Sequence, residues 1–186
     1  LSKGYLPEAL INFVSLLGWH PNNDKEIYDI TDLEKEFSLK RLNRSGAVFD
    51  NEKLNWMNSQ YLNSLSINKI AEYARPFFEA ADIDISNSDK FILIIENVRK
   101  RSNTILEMIT NSNPFYKELD FHIDDLNFLQ NEESQKVISF FCNNISTQSN
   151  WTANEINLLV YETSKATDVK GKQLYLPLRL ALFGEK

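Results

Sequence analysis

The stretch that decides the fold class is residues 50–74, which read DNEKLNWMNSQYLNSLSINKIAEYA. Its first half places five apolar side chains on one face of a helix with about 3.6 residues per turn: Leu54, Met57, Tyr61, Leu62 and Leu65. Asp50 or Asn51 can cap the start of this helix, and Trp56 is expected in the core. Ser66 can cap a second helix directly after the first. Two consecutive amphipathic helices predict a helical fold.

The same periodicity continues on both sides of this stretch. Pro7 suits a first helical position, and Thr31 with Glu34 has the form of a capping box. Residues 88–101 could form a buried strand or a helix, and the polar residues on either side favour a helix. The predicted fold class is therefore all-α, an elongated helical bundle of two or three packed units.

Several signals mark where the helices begin and end. Pro76 is expected to kink or end its helix, because proline has no amide donor and its ring clashes with the preceding turn. The run Asn111 to Pro114 is the strongest helix-ending signal and suggests a boundary between units. Thr152 with Glu155 repeats the capping-box pattern, and Pro177 is expected to open the last helix.

Composition excludes several classes of protein. The formal net charge of −6 argues against a protein that coats nucleic acid. No apolar run approaches the roughly 20 residues that a membrane helix needs, and no signal peptide is visible, so we expect a cytoplasmic protein without a membrane contact. His20, His122 and Cys142 are too few and too widely separated to form a metal site. The five scattered glycines form no phosphate-binding loop.

Positive charge is concentrated in three windows that contain no acidic residue, residues 37–44, 97–106 and 169–180. Each window sums to +3, whereas residues 118–134 sum to −6. A local basic strip can attract phosphate even when the whole protein is acidic. Charge alone leaves two interpretations open, a solvated helix face and a surface that binds nucleic acid.

Five blocks of sequence follow one another in a distinctive order. They are GYLPEALINF with LLGW (4–19), GAVFD (46–50), KLNWMN (53–58), RSNT (101–104) and the segment from Gly171-Lys172 to Pro177-Leu178-Arg179. In this order they resemble the part of bacterial-type glutamyl-tRNA synthetases, class I aminoacyl-tRNA synthetases, that follows the catalytic domain. The resemblance implies a stem-contact region at 1–63 and two small helical anticodon-binding subdomains at 64–117 and 118–186, the second truncated at its C-terminal end.

The resemblance also implies what this stretch does and does not contain. The full-length enzyme attaches glutamate to its tRNA with ATP and Mg²⁺, but the family's Rossmann domain and first active-site motif do not occur here. We therefore expect no catalytic residue, no cofactor and no activity from this part alone. We expect a monomer whose partner is tRNA for glutamate. Binding to tRNA for glutamine is left open, and DNA is not expected as a partner. A helical protein–protein interaction module without RNA binding is the alternative.

Within the resemblance, the basic windows become candidate tRNA contacts. Arg101, in the RSNT block, matches an arginine that reads the third anticodon base in some family members, and its planar fork suits a base edge. An ion pair with Glu107 or Glu96 is the competing interpretation of Arg101. Arg99 and Lys100 are expected to contact phosphate, which positions the RNA without reading its sequence. The other candidate tRNA contacts are Lys40, Arg41, Arg44, Lys172 and Arg179.

Overall fold

The computed structural model describes residues 2–43, 46, 48–147 and 151–184. Over these residues it has ten α-helices and no strand, apart from an isolated bridge between Trp19 and Leu42. The all-α prediction is confirmed. The helices are α1 (Pro7–Gly18), α2 (Ile30–Glu36), α3 (Asn51–Ser64), α4 (Ile67–Ala80), α5 (Ser88–Val98), α6 (Ile105–Ser112), α7 (Ile123–Leu129), α8 (Glu132–Ile145), α9 (Ala153–Thr167) and α10 (Lys172–Phe183). Short 3-10 turns cover Leu39–Arg41, Arg99–Arg101 and Asn113–Phe115.

The chain divides into two compact units, residues 1–116 and 117–186. The first unit contains α1 to α6 and the second contains α7 to α10. The subdomain limits inferred from the resemblance, 1–63, 64–117 and 118–186, concern how each part would meet tRNA, and they stay predictions.

The main core of the first unit lies where α4, α5 and α6 pack together. Phe91 and Ile95 of α5 are fully buried, and the ring of Phe91 meets that of Phe78 edge to face with their centroids 5.2 Å apart. Residues 88–98, for which a strand was the alternative, thus form a helix. Its buried positions recur every three or four residues, which is the pattern of one helical face.

A buried polar network joins α1 and α3 in the same unit. The Asn12 side-chain oxygen accepts hydrogen bonds from the Tyr28 backbone amide at 2.7 Å and from the Tyr61 hydroxyl at 2.6 Å. Burial raises the pKa of Tyr61 to about 12, because the neighbouring groups cannot solvate a phenolate as water does. The hydroxyl therefore stays a hydrogen-bond donor at neutral pH.

The second unit has its own core between α8, α9 and α10. Its buried side chains come from all three helices and from the turn before α10: Val137, Phe141, Leu159, Val169, Leu174 and Leu178. The predicted capping box at the start of α9 is confirmed, since Thr152 and Glu155 each accept a backbone hydrogen bond from the other residue.

The expectation that Pro177 opens the last helix is wrong, and of the two outcomes expected at Pro76, a kink or the end of the helix, the end does not occur. Helix α4 continues through Pro76 to Ala80, and α10 begins at Lys172, five residues before Pro177. In each helix the residues on both sides of the proline are buried, Ala74 with Phe78 in α4 and Leu174 with Leu178 in α10. Burial of these side chains outweighs the single backbone hydrogen bond that each proline removes.

Two further local expectations are also wrong. The N-cap of α2 is Asp29, whose carboxylate accepts the Asp32 amide at 2.8 Å, so Thr31 lies inside the helix and no Thr31–Glu34 capping box forms. Trp56 was expected in the core but is 42% exposed. The caps predicted at Asp50 and Ser66 are confirmed.

Gly4 offers a test of how the first unit is held together. Its φ is +77°, and a Cβ atom there would lie 2.8 Å from the Leu106 backbone nitrogen. We expect Gly4→Ala to destabilise the chain by about 2 kcal/mol or more, because a left-handed alanine costs about 1–2 kcal/mol before the clash is counted. Urea unfolding followed by circular dichroism measures the change. Gly18→Ala is the matched control, since nothing lies within 4 Å of its Cβ position, and an equal loss in both variants would contradict the prediction.

Candidate nucleic-acid interface

The basic run Arg99–Arg101 forms a 3-10 turn between α5 and α6. Hydrogen bonds to the neighbouring helices hold the backbone of this turn in place. The Ser102 hydroxyl donates to the Val98 carbonyl at 2.7 Å, and the Asn111 side-chain amide donates to the Ser102 hydroxyl at 2.8 Å and to the Arg101 carbonyl at 3.2 Å. The backbone that carries Arg101 is therefore held by α5 on one side and by α6 on the other.

Arg101 is exposed, and its guanidinium donates to the Asn111 carbonyl at 3.0 Å. This bond uses one of the five N–H donors of an arginine. Glu107, one of the two acidic partners considered from the sequence, instead accepts the Asn103 backbone amide at 2.7 Å. The guanidinium is thus held by one hydrogen bond, and its other N–H donors can bind a base edge or a phosphate.

Arg99 and Lys100 have different surroundings although they are neighbours. Arg99 is half-buried, and its guanidinium donates to the backbone carbonyls of Leu65 at 2.9 Å and Leu62 at 3.4 Å. A cation that bonds the last carbonyls of a helix stabilises its C-terminal end, here that of α3. Lys100 is exposed. The turn thus directs one cation inward and the next two outward.

A buried amide of α3 supports the same turn. The Asn58 side chain is fully buried, its oxygen accepts the Leu6 backbone amide at 2.8 Å, and its nitrogen donates to the Asn103 carbonyl. The Ile105 amide donates to the Gly4 carbonyl at 2.9 Å beside it. The segment before α1, the middle of α3 and the start of α6 are thereby joined.

The window at residues 37–44 presents less charge than its sequence suggests. Lys40 and Arg41 lie on the 3-10 turn Leu39–Arg41, and Lys40 is exposed. Arg41 is half-buried, stacks on the Trp19 ring at 5.1 Å and donates to the Glu36 carbonyl. Arg44 lies outside the residues that the structure describes.

The third window lies on α10, where Lys172 and Arg179 are both exposed. They are seven positions apart, about two helical turns, so they share a face. Tyr175, which is 61% exposed, lies between them on that face. In proteins that bind single-stranded nucleic acid, aromatic rings along a basic groove are platforms on which unpaired bases stack. Sequence reasoning missed Tyr175, because it followed charge alone, although the spacing Lys172-x-x-Tyr175-x-x-x-Arg179 was visible.

Within the described part of the chain, no group of three or more His, Cys, Asp or Glu side chains could hold a metal ion. His20, His122 and Cys142 are each exposed and lie on separate segments. None of the helices described is long and apolar enough to cross a bilayer.

Comparisons with known proteins agree with this picture. A family model described as the anticodon binding domain matches residues 69–186. A second model, the catalytic domain of class I tRNA synthetases (E and Q), matches residues 2–56, which overlap the predicted stem-contact region. The chain is 38% identical to the glutamate–tRNA ligase of Aquifex aeolicus and 34% identical to that of Carboxydothermus hydrogenoformans. It covers 39% of the length of each relative, and each alignment covers 98% of this chain.

Solved structures give the same result. A glutamate tRNA ligase from Elizabethkingia meningosepticum, determined in complex with its amino acid, superposes with a TM-score of 0.83 at 28% identity, over 98% of this chain and 36% of that chain. The resemblance to the glutamyl-tRNA synthetases is thereby confirmed. Because the anticodon binding domain model covers more than half of the residues, the chain belongs to the anticodon-binding domain family.

Proposed function

We propose that this chain is the tRNA-binding and anticodon-reading part of a glutamate–tRNA ligase. The observation that carries the proposal is the match of the anticodon binding domain model to residues 69–186, a range that includes the exposed cations of the Arg99–Arg101 turn and of α10. The partner is tRNA for glutamate. The whole enzyme attaches glutamate to this tRNA in the cytoplasm, with ATP and Mg²⁺ bound by its catalytic part.

The surroundings of each cation support a division of labour. Arg101, exposed on a fixed turn, reads a base of the anticodon, since a guanidinium can make two parallel hydrogen bonds to a base edge. Lys100 contacts phosphate. Arg99 holds the turn in place, since its guanidinium donates a hydrogen bond to a backbone carbonyl at the end of α3. On α10, Lys172 and Arg179 contact the RNA backbone on either side of Tyr175, on which an unpaired base stacks.

Binding to tRNA tests the proposal directly. We expect the chain to bind a transcript of tRNA for glutamate more tightly than an unrelated tRNA, with an affinity that falls as salt rises, because phosphate contacts release counterions. Filter binding at several salt concentrations measures both. Equal affinity for the two tRNAs would contradict the proposal, and a stable protein complex without tRNA binding would favour the protein–protein module.

Arg101→Ala should relax selection at the third anticodon base by about 1–3 kcal/mol, the range for a good bidentate base contact. The measurement compares affinities for transcripts that carry the native third base or a changed one. Lys100→Ala is the control, because a phosphate contact should weaken binding to both transcripts equally. An equal loss on both transcripts for Arg101→Ala would identify Arg101 as a phosphate contact.

Arg99→Met should lower the free energy of unfolding. The RNA affinity of the molecules that remain folded should change less. The methionine keeps the apolar stem but removes the hydrogen bonds to the Leu62 and Leu65 carbonyls, so we expect a loss of about 1–2 kcal/mol for this half-buried group. Lys100→Gln should change the stability by less than about 0.5 kcal/mol. Thermal unfolding and RNA titration of both variants separate the effects. Unchanged stability of Arg99→Met with lost RNA affinity would instead make Arg99 a direct phosphate contact.

A further inference from the structure

We propose that Asn58 is a positioning residue for anticodon reading, acting through the backbone that carries Arg101. The inference rests on the proposed function, since it takes Arg101 to be the side chain that meets the base. Asn58 lies in the middle of α3 and is fully buried, so it touches no RNA itself. Its effect on RNA must therefore pass through the residues that it holds.

The two ends of the Asn58 amide have different partners. The oxygen accepts the Leu6 amide at 2.8 Å, 52 residues away in sequence, and the nitrogen donates to the Asn103 carbonyl, 45 residues away. Only a side chain with both a donor and an acceptor at this length can make both bonds. Ionised aspartate keeps the acceptor and loses the donor, so Asn58→Asp removes the bond to Asn103 and also adds a negative charge at a buried position.

The bond to Asn103 restrains the inner side of the turn. Asn103 is exposed, and its amide is held by Glu107 at 2.7 Å, while the Asn111 side chain holds the Arg101 carbonyl at 3.2 Å. These partners lie on α6, whereas Asn58 lies on α3. The segment between Arg101 and Asn103 is thus fixed to α5, α6 and the middle of α3. Without Asn58, its bond to the middle of α3 would be lost, and α5 and α6 would hold it with less restraint.

Orientation matters more for a base contact than for a phosphate contact. Two parallel hydrogen bonds to a base edge need the guanidinium plane within about 0.5 Å and 10–20° of its place. A phosphate attracts a cation over a wider range of distances and directions. Loosening the turn should therefore reduce selectivity between bases while leaving most of the electrostatic attraction.

The experiment compares Asn58→Asp with the unchanged 186-residue chain. Affinities are measured at one salt concentration for transcripts of tRNA for glutamate with the native third anticodon base and with that base changed. We expect the preference for the native base to fall about fivefold or more, with little change in affinity for the changed transcript. Asn63→Asp, the same substitution at an exposed position of α3, should leave the preference unchanged.

A double-mutant cycle shows whether Asn58 acts through Arg101. In the Arg101→Ala background, Asn58→Asp should cause no further loss of preference, because the side chain that it positions is already absent. If circular dichroism shows that Asn58→Asp does not fold, Asn58→Ser, which cannot reach both partners, replaces it in the same cycle.

The possible outcomes separate the two proposals. If the unchanged chain shows no preference for the native third base, the proposed function of Arg101 fails. If that preference exists and the folded Asn58 variant keeps it, or loses affinity equally for both transcripts, the positioning role is overturned and Asn58 is only a structural residue. A further loss in the Arg101→Ala background would also overturn it, since Asn58 would then act by another route.

Discussion

The first unit depends on one buried amide, the side chain of Asn58. It hydrogen-bonds the backbone of Leu6 and of Asn103, which lie on different sides of α3 in the sequence. A buried amide that loses a partner lowers the stability by about 1–3 kcal/mol. Moving any one of the three segments away from the other two is therefore unfavourable. These segments belong to the blocks GYLPEAL, KLNWMN and RSNT. Three of the five blocks that carry the family resemblance are thus parts of one hydrogen-bond network.

Much of the fold was predictable because its signals are local. The apolar faces of α3 and α5 and the caps at Asp50 and Ser66 depend on residues within one or two turns. The expectations that failed, a helix that ends at Pro76 and one that begins at Pro177, have the opposite origin. There a local rule, that proline ends a helix, competes with burial of residues on both sides, and the burial depends on partners that the sequence does not place.

The residue types of the candidate site were predictable from the sequence, but the directions of their side chains were not. The sequence placed three cations in residues 99–101, and only the structure shows that Arg99 turns toward the carbonyls that end α3 while Arg101 stays exposed. Arg41 is a parallel case, since its stacking on Trp19 needs two segments that are far apart in sequence. Side-chain direction at a short turn is decided by such distant partners, which periodicity and charge counts do not reveal.

Under the proposed function, this distribution of cations would allow an acidic chain to bind RNA. Of the seven candidate cations that the structure describes, five are exposed: Lys40, Lys100, Arg101, Lys172 and Arg179. With a net charge of −6, so few exposed cations provide only a modest attraction to RNA that does not depend on its sequence. Each phosphate contact releases about one counterion, so a small number of contacts adds little to the affinity. Tight binding then requires base contacts as well, and these need fixed geometry. Under the two proposals, a turn that is fixed by a buried amide such as Asn58 serves selectivity between bases more than affinity, which additional lysines would increase.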